Sequence, residues 1–247
     1  MRDINVVFLL LALIAEIIGT IGGFGSSVFF VPLGNFYFDF ESVLGLTALF
    51  HLSSNLSKIA LFKQGLDKRL LATIGIPSVL FVVLGGYLSN VIQSTYLEIA
   101  LAIFLVGFSL LFLIYKSLEI APNNQNAVIG GTLSGFFAGL LGTGGAIRGL
   151  TMASFNLDKS VFIATSASID FMIDFSRTFV YYHNGYIHGH DLKYVPFLFV
   201  IGLLGSYLGK RVLHYIPQHK FRRLSLSLIL IIGLVTMARL ILGESIP

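Results

Sequence analysis

Long apolar runs set the rhythm of this chain, and polar residues fall in short stretches between them or at isolated points within them. The runs VVFLLLALIAEII, LEIALAIFLVGFSLLFLIY and LSLSLILIIGLVTMARLIL suit helices that cross a bilayer, which need about 20 mostly apolar residues. Apolar segments lie at about 4–20, 27–37, 41–63, 69–90 and 95–115, then at about 127–141, 147–156, 159–182, 193–213 and 221–241. They predict an all-α polytopic membrane protein with eight full spans and two short segments, 27–37 and 147–156, each entered through a glycine-rich break. The first run holds Glu16 and lacks a small-x-small cleavage pattern, so it reads as a retained helix and not as a signal peptide.

The two lists of segments match because the chain repeats itself at an offset of 119 to 120 residues. Gly19, Gly22 and Gly25 match Gly139, Gly142 and Gly145; Gly85-Gly86-Tyr87-Leu88 matches Gly205-Ser206-Tyr207-Leu208; Asn55-Leu56-Ser57-Lys58 matches Asp174-Phe175-Ser176-Arg177. Residues 1–120 and 121–247 are therefore read as two transmembrane repeats within one integral membrane domain.

Charge decides how the repeats face each other. If each short segment completes a crossing, the halves are inverted and ten cations share one side: Lys63, Lys68, Arg69, Lys116, Lys159, Lys210, Arg211, Lys220, Arg222 and Arg223. Only Arg2, Lys193 and Arg239 then lie on the other. If it does not, the halves run parallel and the cations split seven to six. The positive-inside rule favours the inverted arrangement, with loops 63–69 and 209–223 cytoplasmic in a cell (inner) membrane. Inverted repeats broken by glycine at matching places point to a midplane site in a secondary transporter.

Composition narrows the function classes. Of 247 residues 55% are hydrophobic and 11% charged, with a mean hydropathy of +0.88, where a soluble domain carries about a quarter charged residues. No polar stretch is long enough for a soluble domain. With no cysteine there is no disulfide framework, thiolate nucleophile or Cys-ligated metal. The net charge of +4 comes from loop cations, which is a topology signal and not a nucleic-acid footprint.

The candidate site follows from the breaks. A helix that stops in hydrocarbon leaves N–H and C=O groups unsatisfied, so a break persists only where it is buried in protein or faces a cavity or ligand. Gly22, Gly23, Gly25 and Ser26 form one break, and Gly142, Thr143, Gly144 and Gly145 the other. They read as floor and roof of a substrate site, with free N–H groups at the start of each short segment attracting an anion. The alternative for the glycines is close helix packing. Arg148, just past the second break, suits an anion.

The third span of each half carries a polar stripe. Thr47, His51, Asn55 and Lys58 share one helical face and map onto Ser166, Asp170, Asp174 and Arg177. Ionisable groups at membrane depth are functional candidates by default. Asn55 and Ser166 read as neutral donors to the substrate, Arg177 as a second cation for it, and His51, Lys58, Asp170, Asp174 and Glu16 as coupling or ion-pair residues. The competing reading is mutual neutralisation of Asp170, Asp174 and Arg177 as structural glue. Lys58 is expected near the end of its span, where it snorkels to water. Glu16 is a lone carboxylate, a proton site or a structural one. His183, His188, His190 and Asp191 cluster in YYHNGYIHGHD, but without a third well-spaced ligand in a defined helix they read as a solvated loop, and no metal is assigned.

GFFAGLLGTGGAIRGL, followed by FIATSASIDFMIDFSRTFVYYHNGYI, resembles the sulfite exporter TauE/SafE family of membrane transport proteins, as does the duplication over nearly the whole chain. The first half keeps Val31-Pro32-Leu33 but has GTIGGFG, one glycine short of the usual pattern; the second has Ala146 in place of a glycine and Arg148 where many relatives are apolar. The resemblance implies transport of small anions, typically sulfite or organosulfonates, and leaves the individual substrate open. The expectation is a non-enzymatic secondary transporter without a cofactor, whose partners are a small anion, a coupling proton or sodium ion, and the lipid bilayer. An anion channel or an assembly subunit without transport of its own is the alternative. Neither transport direction nor oligomeric state is legible.

Overall fold

The computed structural model describes residues 4–22, 25–62, 65–115, 120–213 and 218–242, and these are helical apart from turns and short connections. Gly23, Lys63 and Lys116 lie outside the described residues, as do 214–217 in the second predicted cytoplasmic loop. In chain order the helices are α1 Val6–Gly22, α2 Ser27–Gly34, α3 Phe40–Leu61, α4 Lys68–Val91 and α5 Ser94–Ile114. The second half brings α6 Asn124–Leu141, α7 Gly145–Ala153, α8 Lys159–His183, α9 Leu192–Leu213 and α10 Gln218–Leu242. The ten segments expected from the hydrophobic pattern are all present, with ends shifted by a few residues and the two short ones shorter still.

Local chemistry sets the ends. Asp39 accepts the backbone N–H of Ser42, Asp67 that of Leu70 and Asn123 that of Asn126, capping α3, α4 and α6. Gly142 closes α6 in the left-handed region at φ 74°, and Gly25 turns the chain between α1 and α2 at φ 79°; both positions favour glycine. In α4 a π-turn over Leu71–Gly75 widens the helix just before Pro77, whose ring and missing N–H disturb the preceding turn.

Among the described residues, four helices are long and apolar enough to cross a membrane: α4, α5, α9 and, over Arg223–Leu242, α10. Their outward faces carry exposed Leu80, Ile103, Phe199 and Ile231, which suits contact with lipid. The protein is embedded in a membrane. α3 and α8 are of spanning length, at 22 and 25 residues, but their polar stripe turns inward.

Contacts along the helices give their directions. Gly205 and Gly209 of α9 lie against Glu16 and Thr20 of α1, and Gly202 and Lys210 meet Ser53 and Leu61 of α3, so α1, α3 and α9 run the same way. Ser78 and Val82 of α4 lie against Gly135 and Gly139 of α6, and Gly75 and Gly86 meet Ile169 and Val180 of α8. These three helices run together too. Between the groups the sense reverses: Gly45, near the start of α3, lies against Tyr186 beyond the end of α8, while Phe62, beyond the end of α3, clusters with Ile163 and Ala164 near the start of α8. The first helix of each half thus packs on the fourth helix of the other half, and α3 and α8 cross antiparallel at the centre.

Candidate functional site

The centre is where both breaks arrive. A Cβ placed on Gly25 would lie 3.9 Å from the Cα of Gly145 and 3.9 Å from Nη2 of Arg148, so the two reversals of the chain are in direct contact. Ser27, at the start of α2, donates to Thr143 in the other break at 3.3 Å. In this conformation nothing separates the expected floor and roof. Beside them is a cleft of about 20 Å³, lined by Gly19, Thr20, Gly25, Lys58, Ser166 and Asp170 among others, which admits about one water.

Three buried cations surround this junction, and each is held by its own carboxylate. Lys58 Nζ lies 2.8 Å from Glu16 Oε1 and donates to Ser54 at 2.9 Å. Arg148 forms a two-pronged pair with Asp170, and its Nε donates to Ser166 at 3.1 Å. Arg177 is 2.7 Å from Asp174 and also donates to the carbonyls of Gly142 at 2.9 Å and Ala138 at 3.1 Å. Those are the open carbonyls at the end of α6, where a cation is favoured by the helix dipole.

These pairings correct three expectations. Lys58 does not snorkel: it is 6% exposed, because Glu16 on α1 meets it at the same depth. Glu16 is not a lone carboxylate, since it also accepts from Thr20, Ser26, Ser54 and Ser206. Asp170 does not serve Arg177. One turn before Asp174 it faces Arg148 on α7 instead, and with its side chain 21% exposed it is the least buried member of the three pairs. Mutual neutralisation is the rule here, but the pairs cross between helices.

The remaining predicted residues join the same network. Asn55 donates to Asp174 at 2.7 Å, and His51 lies 3.0 Å from Ser26 Oγ through Nε2 and 3.9 Å from Asp174 through Nδ1. Ser166 accepts from Arg148, and Gly144 presents its carbonyl to Ser134 at 2.9 Å. Gly22 ends α1, and Gly145 begins α7. Thr47 turns to its own backbone, donating to Val43 at 2.6 Å.

Sequence reasoning missed Ser54, Ser206 and Thr20. Ser54 was findable, lying three residues after His51 on nearly the same face. Ser206 is visible as the serine in the second copy of the Gly-x-Tyr-Leu block.

A family model described as sulfite exporter TauE/SafE matches residues 8–236. No curated protein matches the chain.

Proposed function

We propose, for a chain that belongs to the sulfite exporter TauE/SafE family, that it is a secondary transporter of a small sulfur-containing anion. The family places it among membrane transporters of sulfite and related anions; the substrate, mechanism and coupling that follow are our reading. Residues 1–120 and 121–247 act as inverted repeats in a cell (inner) membrane, with loops 63–69 and 209–223 on the cytoplasmic side. Three observations favour inversion: α3 and α8 are antiparallel, α1 on α9 mirrors α6 on α4, and each half places its break against the other's.

One observation carries the transport reading: Arg148 stands at the junction of the breaks, and its partner Asp170 is the only one of the three pairing carboxylates that reaches the cleft. Asp170 occupies the place that a substrate anion takes. Oxyanions suit Arg because its planar fork matches two oxygens at once. The free N–H groups that open α7 add partial positive charge on the same side. Arg177 is committed to helix carbonyls and Lys58 to a four-donor carboxylate, so both support the site more than they receive cargo.

A carboxylate keeps its arginine until another anion competes for the same guanidinium. An arriving anion is that competitor. An arriving monoanion displaces Asp170 from Arg148, and a co-transported monovalent cation, proton or sodium, keeps the site's net charge unchanged. The cleft is too small for an oxyanion, so the halves part around the junction to admit one, which is alternating access.

The test is flux in proteoliposomes with sulfite, sulfoacetate, sulfate, chloride and a carboxylate, each with and without a pH gradient. Saturable sulfur-anion flux that follows the gradient is the expected result. Fast non-saturating chloride flux would make the protein a channel, and absence of flux for every anion would remove the transport reading.

A further inference from the structure

Away from the central network, the connection between α8 and α9 gathers three side chains of one chemical kind. His188, His190 and Asp191 each bring a ligand atom within 4.8 Å of the other two. His188 Nδ1 is 3.5 Å from Asp191 Oδ2, and His190 Nε2 is 3.3 Å from Asp191 Oδ1. The two imidazoles stack with centroids 5.3 Å apart and planes 15° from parallel. Asp191 is 4% exposed, and among the described residues its Oδ2 accepts no hydrogen bond. A buried carboxylate oxygen without a donor, faced by two imidazoles, is an incomplete polar arrangement.

We propose that this loop binds a divalent transition-metal ion of the zinc class, held by His188, His190 and Asp191, with water in the fourth position. Two imidazoles and one carboxylate suit zinc in tetrahedral geometry, with metal–ligand distances of about 2.0–2.2 Å. Adjacent ligands around such an ion lie a little over 3 Å apart by that geometry, near the observed His190–Asp191 approach.

The start of α3 already holds one of these side chains. Ser42 donates its hydroxyl to Asp39 at 2.9 Å and lies 2.8 Å from His188 Nδ1. Ser42 thus fixes the His188 ring along its Nδ1 edge, the edge that faces Asp191. Because Asp39 caps α3, the ion ties the α8–α9 connection to the start of α3. His190 is 73% exposed, which leaves the ion a path from solvent.

The full-length protein in detergent, stripped with a chelator, is titrated with Zn²⁺ by calorimetry and followed by thermal unfolding. One saturable Zn²⁺ per chain with a raised Tm is expected, and Mg²⁺ should produce neither effect. His190→Ala, at an exposed position where folding is not at stake, should abolish both. Ser42→Ala should weaken Zn²⁺ binding by about 10- to 100-fold while keeping the stoichiometry. Equal Zn²⁺ binding by wild type and His190→Ala, or no saturable binding by wild type, would overturn the assignment.

Discussion

Asn55 Nδ2 donates to Asp174 Oδ2 at 2.7 Å, and the two residues are 119 positions apart. That separation is the offset at which the halves of the chain match, so equivalent positions of two similar segments touch. An approximate two-fold axis between the proposed repeats would produce such a contact. Asn55 and Asp174 mark the level at which α3 and α8 cross, and all three cation–carboxylate pairs are arranged around it.

Asp170→Asn is expected to uncouple flux from the driving gradient while preserving anion uptake, because the neutral amide leaves Arg148 free for the anion. Arg148→Gln is expected to lose anion flux. Both are read in the proteoliposome assay. Unchanged gradient dependence in Asp170→Asn would assign coupling to another group.

Glu16→Gln strands Lys58 in the core, and breaking a buried pair from one side costs about 3–5 kcal/mol. Removing both charges in Glu16→Gln with Lys58→Met should recover most of that loss. Thermal unfolding in detergent reads the difference, and a single-variant loss under about 1 kcal/mol would mean the pair is open to water.

Arg177→Ala is expected to lower stability as well as flux. It strands Asp174 and also uncovers the carbonyls of Ala138 and Gly142 at the end of α6. A variant with normal Tm and no flux would restore Arg177 as a direct substrate ligand.

Gly25→Ala has room for its methyl group, with nearest atoms 3.8–3.9 Å away, so its cost is the left-handed backbone alone, about 1–2 kcal/mol. The folded variant should nonetheless transport more slowly, because the methyl projects into the meeting point of the breaks. Wild-type flux in Gly25→Ala would show that the breaks stay apart from the transport path.

The absence of cysteine makes the chain its own background for topology mapping. Leu66→Cys and Gly189→Cys, both at exposed positions, lie beyond the ends of the antiparallel helices α3 and α8. A membrane-impermeant thiol reagent should label them from opposite faces, Leu66→Cys from the cytoplasm. Labelling from one face would exclude inverted repeats.

The polar stripe of α3 and α8 was legible because it follows helical spacing through otherwise apolar sequence, and both breaks were legible from their glycines. Pairing was not. The closeness of Asp174 and Arg177 can be read along one helix, but Asp170 finds Arg148 and Lys58 finds Glu16 only after separate helices pack, and spacing along a chain carries no record of that. The depth of Lys58 was misjudged for the same reason, since snorkelling is the default only when no carboxylate waits at that level. The proximity of His188 and His190 was visible, whereas the burial of Asp191 beneath them depends on the loop folding back over α3.

The packing of each half's first helix on the fourth helix of the other half has a consequence for assembly. Each half leaves a helix face for the other to cover, α1 for α9 and α6 for α4. A chain cut between α5 and α6 would yield two fragments that complete one another like hooked fingers, and either alone would present a glycine-lined groove to lipid. The first half is therefore expected to complete its packing only once the second half has been made.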